Sequence, residues 1–349
     1  MKNSPLAQLL LFRVRIFYRE PSAVFWTYGF PILLTVALGI AFRNRPPERI
    51  AVAVEEGEAA DTIAGVLTRP DYKDTFSVAV IPPEECAERL RIGRAAVVVT
   101  ARSTEGTFTY QYDPTRPESL HAQLRVDNAL QRAAGRTDPV TVEVQEVTRP
   151  GSRYIDFLLP GLLGMNLMGS GLWGVGFVAV DLRVRKLLKR FTATPMRRSH
   201  FLWSMVGARM LFTLPEMVVI LLAGALLFDV PVLGNYLSIF VVVAAGGACF
   251  AGLGLLVASR AQRIETVSGL MNLVMLPMWL LSGIFFSTEN FPDLVQPLIL
   301  ALPLTHLNNA LRTVILEGAP LASQWLPMLV LLAIGGVSFH LAVRLFRWS

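Results

Sequence analysis

Apolar and polar positions along this chain fall into long blocks instead of alternating. Residues 23–42 carry no charge, and further apolar runs occupy 157–180, 201–228, 237–258, 266–286 and 325–343. About twenty apolar residues in a helix cross a hydrocarbon core roughly 30 Å thick. The pattern therefore predicts six transmembrane helices. A further apolar stretch, 298–316, contains Pro303, is followed by Gly318, and sets Leu304, Leu307, Leu311 and Val314 at helical spacing. It is too interrupted to span, and reads either as a membrane-dipping segment on the external side or as a surface helix.

Residues 43–153, between the first two runs, are a different material. They hold 15 Lys/Arg and 17 Asp/Glu, more than half the charges of the chain in under a third of its length. β-rich runs at 50–54, 76–81, 96–100, 107–112 and 140–147 alternate with helical patterns at 58–68, 83–92 and 118–134. This predicts a small soluble α/β domain of order β-α-β-α-β-β-α-β. Ahead of the first run, residues 1–22 carry Leu6, Leu9, Leu10, Phe12, Ile16 and Phe17 with three arginines and end near Pro21. That stretch predicts a cytoplasmic interfacial helix. Its arginines interrupt the order of a cleavable signal peptide, so it is expected to stay in the mature chain. The fold class expected is an α-helical integral membrane protein, six transmembrane helices with an extracytoplasmic α/β domain inserted between the first and second.

Composition agrees: 53% of residues are hydrophobic and 17% charged, against about 25% charged in soluble proteins. The net charge of +6 could suggest a nucleic-acid partner, but the cations follow the spans. Segments 1–22, 181–200, 259–265 and 344–349 hold 15 Lys/Arg, whereas 229–236 and 287–324 hold only Arg312. Short basic loops stay in the cytoplasm, and long domains translocate regardless of charge. Both termini are thus expected in the cytoplasm and 43–153 outside it, in a cell (inner) membrane, in contact with the lipid bilayer and with no nucleic acid bound.

Several chemistries lack support. There is no G-x-x-x-x-G-K-[ST] loop and no Gly-Lys pair, so ATP hydrolysis would need another chain. Gly169-Ser-Gly-Leu-Trp-Gly174 matches G-x-G-x-x-G but lies within an apolar run with no preceding strand. His121, His200, His306 and His340 are scattered, and Cys86 and Cys249 sit in unlike surroundings, so neither a metal site nor a disulfide is expected. No catalytic residue, cofactor or metal ligand is assigned, and the chain is expected not to be an enzyme. Ser170 and Gly174, then Ala244, Ala248 and Gly252, recur every four residues. Such faces permit close helix contact, within the bundle or across a dimer seam. Glu216 is the acid deepest inside a run, with Arg209 seven residues earlier on nearly the same face. A mid-bilayer charge costs roughly 2.5 to 3.5 kcal/mol, so Glu216 either faces the interior with Arg209 or anchors the helix near the interface. Asn166 and Asn272 are further polar residues that suit a pathway or interhelical contacts.

The stretch 181–200, DLRVRKLLKRFTATPMRRSH, carries seven Lys/Arg against one acid, with Leu182, Leu187, Leu188 and Phe191 as an apolar stripe. With the following residues to 209, and with LPMWLLSGIFFSTENFPDLVQPLILALPLTHLNNALRTVILEG at 276–318, it resembles the membrane subunits of type-2 ABC export permeases. The likeness is to the subgroup with a large external loop after the first span. It covers essentially the whole chain, with one departure: many members have Gly-Thr where Lys186-Leu187 stands. The resemblance implies one half of a transmembrane path, paired with itself or a sister permease and with separate ABC ATP-binding subunits that hold ATP and Mg. It further implies that 183–198 couples to the ATPase. Arg183, Arg185, Lys186, Lys189, Arg190, Arg197 and Arg198 would meet an acidic rim, Leu187, Leu188 and Phe191 would fill a cleft, and Thr194 and Pro195 would end the element. The cargo would be small or amphipathic, and 43–153 could meet an envelope adaptor. A second reading is a membrane-anchored receptor or scaffold whose external domain binds a ligand or envelope partner. A lipid-modifying enzyme has no nucleophile or metal cluster to support it.

Overall fold

The computed structural model of the chain describes residues 5–41, 49–102, 107–137, 139–140, 151, 153–192 and 198–347. They divide between two compact units, 44–147 and a helical unit of 1–43 with 148–349.

In the smaller unit, β1 (Ile50–Glu55), β2 (Phe76–Ile81), β3 (Val97–Arg102) and β4 (Thr107–Tyr112) form one sheet in the order β2-β1-β3-β4. β1 runs parallel to both neighbours, with Val52 opposite Val78 and Val97, and β3 pairs antiparallel with β4, with Val99 opposite Tyr110. A strand covered on both faces cannot alternate, so β3 opens with Val97, Val98 and Val99, all fully buried. Edge strand β4, TFTYQY, alternates exposed and half-buried positions. Helices Ala60–Leu67 and Pro117–Ala133 cover one face over Val54, Ile63, Val126 and Leu130. Helix Pro83–Arg91 covers the other, where Ala53, Ile81, Cys86 and Val98 meet. The order of elements through 134 is the one the sequence predicts. The last predicted strand, apart from Val140, lies outside the described residues.

Among the described residues six helices are long and apolar enough to cross a membrane: Pro21–Ala41, Tyr154–Val184, Ser199–Phe228, Tyr236–Ala258, Ile264–Leu281 and Leu321–Leu345. They are called the first to sixth spans below. The fifth stops at Leu281 instead of 286, because Gly283, at φ +69°, turns the chain just beyond it. Two spans contain a widened π-helical turn, Phe25–Gly29 in the first and Leu172–Phe177 in the second. The fourth span is the centre of the unit and packs on the second, third and sixth. Bare backbone makes this possible: a Cβ at Gly176 would lie 2.3 Å from the Gly254 carbonyl oxygen, and one at Gly252 2.6 Å from that of Gly335. Gly252 thus serves packing inside the chain. Gly174 has open space beside it, so on the second span the tight face runs through Gly171 and Gly176, not Ser170 and Gly174.

The apolar stretch at 298–316 is divided at Leu302 into Gln296–Ala301 and Pro303–Leu316. Leu304, Leu307, Leu311 and Val314 are fully buried, because the second helix packs against the second, fourth and sixth spans. Its apolar stripe meets protein. Helix Pro5–Arg19 lies along the third span, with Leu10 beside Gly207 and Phe17 stacked on Phe212 at 4.1 Å. Arg13 sits over the Phe201 ring at 5.3 Å, and burial pushes its guanidinium down to about 10, still charged at neutral pH.

Candidate functional site

The basic stretch joins the second and third spans. The second span ends at Val184, and Lys186 then adopts φ +59°, which lets a short helix, Leu187–Thr192, start in a new direction. The left-handed conformation costs a side chain about 1–2 kcal/mol, and glycine avoids it. Where the resembling permeases carry Gly, this chain therefore keeps the same kind of turn and places a cation at its apex. Arg185, Lys186 and Lys189 are exposed, and Arg185 Nε donates to Asp181 Oδ1 at 2.9 Å.

Two residues expected at an ATPase surface point elsewhere. Arg183 is 7% exposed, and its guanidinium donates to main-chain carbonyls inside the helical unit. Leu188 is 1% exposed and belongs to the apolar core of that unit. The cause is the break at Lys186, which re-phases the helix so that Leu182, Leu187, Leu188 and Phe191 cannot form one continuous outward stripe. Leu187 is half-buried. Arg190 and Phe191 lie in the short helix and Arg198 heads the third-span helix, but their side chains fall outside the described residues, as do Thr194, Pro195 and Arg197 entirely.

A polar cluster lies among the first three spans. Arg209 Nη2 forms an ion pair with Glu216 Oε2, and the two side chains are 5% and 1% exposed. Asn166 Nδ2 of the second span donates to Glu216 Oε1 at 2.5 Å, and Ser170 Oγ lies 3.3 Å from the same atom. Asn166 also reaches the Thr27 carbonyl, inside the first π-turn, at 3.4 Å. The Arg209 Nε has no partner among the described residues. The sequence pairing of Arg209 with Glu216 is met, and Asn166 joins it. Asn272 does not: it is exposed on the fifth span.

At the other end of the fifth span, the turn after Leu281 is held by side chains that the sequence reading did not single out for this role. Asn308 Nδ2 donates to the Ser282 carbonyl at 2.9 Å, Tyr154 Oη to that of Phe285 at 2.7 Å, and Arg312 to those of Gly283 and Phe157. The Arg312 guanidinium also sits 3.6 Å from the centre of the Phe157 ring. A signal existed, since Arg312 is the one cation in the two loops predicted to be outside. Among the described residues no group of three or more His, Cys, Asp or Glu could hold a metal ion.

Residues 21–344 match the family described as ABC-2 family transporter protein. Over 210 residues the chain is 29% identical to ABC transporter G family member 20 of Dictyostelium discoideum, covering 59% of this chain and 28% of that protein. It is 30% identical over 146 residues to the inner membrane transport permease YhhJ of Escherichia coli K12, covering 42% and 38%. Nodulation protein J of Bradyrhizobium diazoefficiens is 28% identical over 204 residues, covering 56% and 75%. The chain therefore spans less than two fifths of the first two relatives' own lengths. The family match is not so confined: it runs from the start of the first span into the last turn of the sixth, and on it this chain belongs to the ABC-2 family as the membrane permease subunit of an ABC transporter.

Proposed function

We infer that the chain forms half of an ATP-driven export path, paired with a second copy or a sister permease, and moves a small or amphipathic substrate outward. ATP and Mg would sit on a separate ABC subunit. The observation that carries this reading is the break at Lys186, which sets exposed Arg185, Lys186 and Lys189 on a short element between two spans. Both termini and this element lie in the cytoplasm, and 43–153 lies outside, an orientation supported by the distribution of Lys and Arg. The relative named an inner membrane permease supports that location. An envelope adaptor is a fitting partner for the outer unit, which has a core of its own.

The coupling contact is made by Arg185, Lys186, Lys189 and the neighbouring Arg190, Phe191, Arg197 and Arg198, with Thr194-Pro195 ending the element. Asn166, Arg209 and Glu216 act as a lock between spans, supported by their mutual hydrogen bonds and burial. The test is Arg185→Glu with Lys186→Glu and Lys189→Glu in the chain purified from its own membranes. The ATPase that accompanies the unaltered chain should be lost. Unchanged ATPase association would overturn the assignment, and loss of activity on deleting 50–150, with the triple substitution harmless, would favour a receptor instead.

A further inference from the structure

Arg183 stands on the last turn of the second span, two residues before the exposed cations, yet its charge is turned inward. Its Nε donates to the Arg347 carbonyl at 2.8 Å, Nη1 to those of Ala258 (2.9 Å) and Ala261, and Nη2 to that of Ser259 (3.1 Å). The guanidinium also lies 4.6 Å from the centre of the Phe346 ring. Ala258 ends the fourth span, Ser259 and Ala261 make the turn into the fifth, and Phe346 and Arg347 follow the sixth. The Arg347 amide closes the knot by donating to the Ser259 carbonyl at 3.0 Å.

The last carbonyls of a helix lack intrahelical partners, and a cation placed there also meets the negative end of the helix dipole. No carboxylate is among these partners, so the guanidinium is held by main chain alone. Main chain moves only when its helices move. A fork of donors that spans three chain segments therefore makes them one body.

We propose that Arg183 is a positioning residue for energy coupling: it passes displacement of the 185–192 element to the turn between the fourth and fifth spans and to the end of the sixth. This rests on the reading of 185–192 as the ATPase contact, and it adds that Arg183 itself does not touch the ATPase. A merely structural arginine would affect yield and melting. A transmitting one changes how much ATP hydrolysis is tied to the permease.

The test uses the full chain with its co-purifying ATPase in nanodiscs, as wild type, Arg183→Lys, Arg183→Gln and Phe346→Leu. Two quantities are read: ATPase retained per permease, and stimulation of MgATP hydrolysis by the permease. Arg183→Gln should keep the ATPase bound and lose about fivefold in stimulation. Arg183→Lys, which keeps the charge without the fork, should fall between it and wild type. Should Arg183→Gln not fold, Phe346→Leu, which leaves every carbonyl contact in place, still decides through a smaller loss. Full stimulation in the variants that retain the ATPase overturns the proposal and leaves the contact assignment standing. A wild-type chain that retains no ATPase overturns the contact assignment itself, and the proposal with it.

Discussion

Removing one partner of the Arg209–Glu216 pair is the most demanding test of the helical unit. Glu216→Ala would leave Arg209, 5% exposed and already without a partner at Nε, with its Nη2 stripped as well. Breaking a buried pair from one side costs about 3–5 kcal/mol. A lone charge in mid-bilayer costs roughly 2.5–3.5 kcal/mol by insertion, so two independent routes give the same size. Arg209→Ala should sit at the lower end, because Asn166 and Ser170 still serve the Glu216 carboxylate. Replacing both at once, Arg209→Met with Glu216→Leu, removes the charges together and leaves only Asn166 underpartnered, a cost of about 1–3 kcal/mol. The double variant should therefore be more stable than Glu216→Ala, with a coupling energy of at least about 2 kcal/mol. Equilibrium unfolding in mixed micelles, followed by circular dichroism, measures all four proteins. Single losses below about 1 kcal/mol that simply add would mean the pair does not form in the folded chain.

Three further outcomes follow from the same geometry. Lys186→Gly should stabilise the chain by roughly 0.5–1 kcal/mol, since relief of left-handed strain exceeds the added backbone freedom, whereas Lys186→Val should destabilise it; melting in detergent distinguishes them. Gly252→Ala, which drives a Cβ to 2.6 Å from the Gly335 carbonyl, should cost about 1–3 kcal/mol, while Gly174→Ala, with open space beside it, should leave the melting temperature unchanged. If the polar cluster is a lock and not a substrate path, the double variant at 209 and 216 should keep substrate-stimulated ATP hydrolysis of the reconstituted transporter within about twofold of wild type; a larger loss in a folded protein would place these residues on the path.

The spans and the sheet were legible because each rests on local pattern: uncharged runs of sufficient length, and valine-rich runs between turn residues. The pairing of Arg209 with Glu216 was legible for a related reason, since seven residues bring a helix back to nearly the same face. The donors from Asn166 and Ser170 were not, because which face of the second span meets the third is decided by packing between distant segments. The orientation of Arg183 and Leu188 was hidden by one backbone angle. Lysine carries no left-handed signature, so a continuous helix drawn through Lys186 puts Leu188 on the wrong side and treats Arg183 as one more outward cation. In the same way, the stripe at 304–314 marks a buried face without saying whether lipid or protein buries it.

The two carbonyl-held arginines explain why the second span, of all six, leads into the basic element. Arg183 fastens its end to the last carbonyls of the fourth span, and Arg312 fastens its beginning, at Phe157, to the turn that ends the fifth. The fourth and fifth spans follow each other across a short turn, so their C-terminal ends lie at opposite ends of the bundle. The second span is therefore a strut tied at both ends to successive helices, and a push on 185–192 cannot be absorbed by sliding the whole strut. What remains compliant is its interior, where the π-turn Leu172–Phe177 lies one residue beyond Gly171 and two beyond Ser170 of the polar cluster. Gly176 of that turn rests directly on the Gly254 backbone of the fourth span, so rotation there must be passed to the central helix.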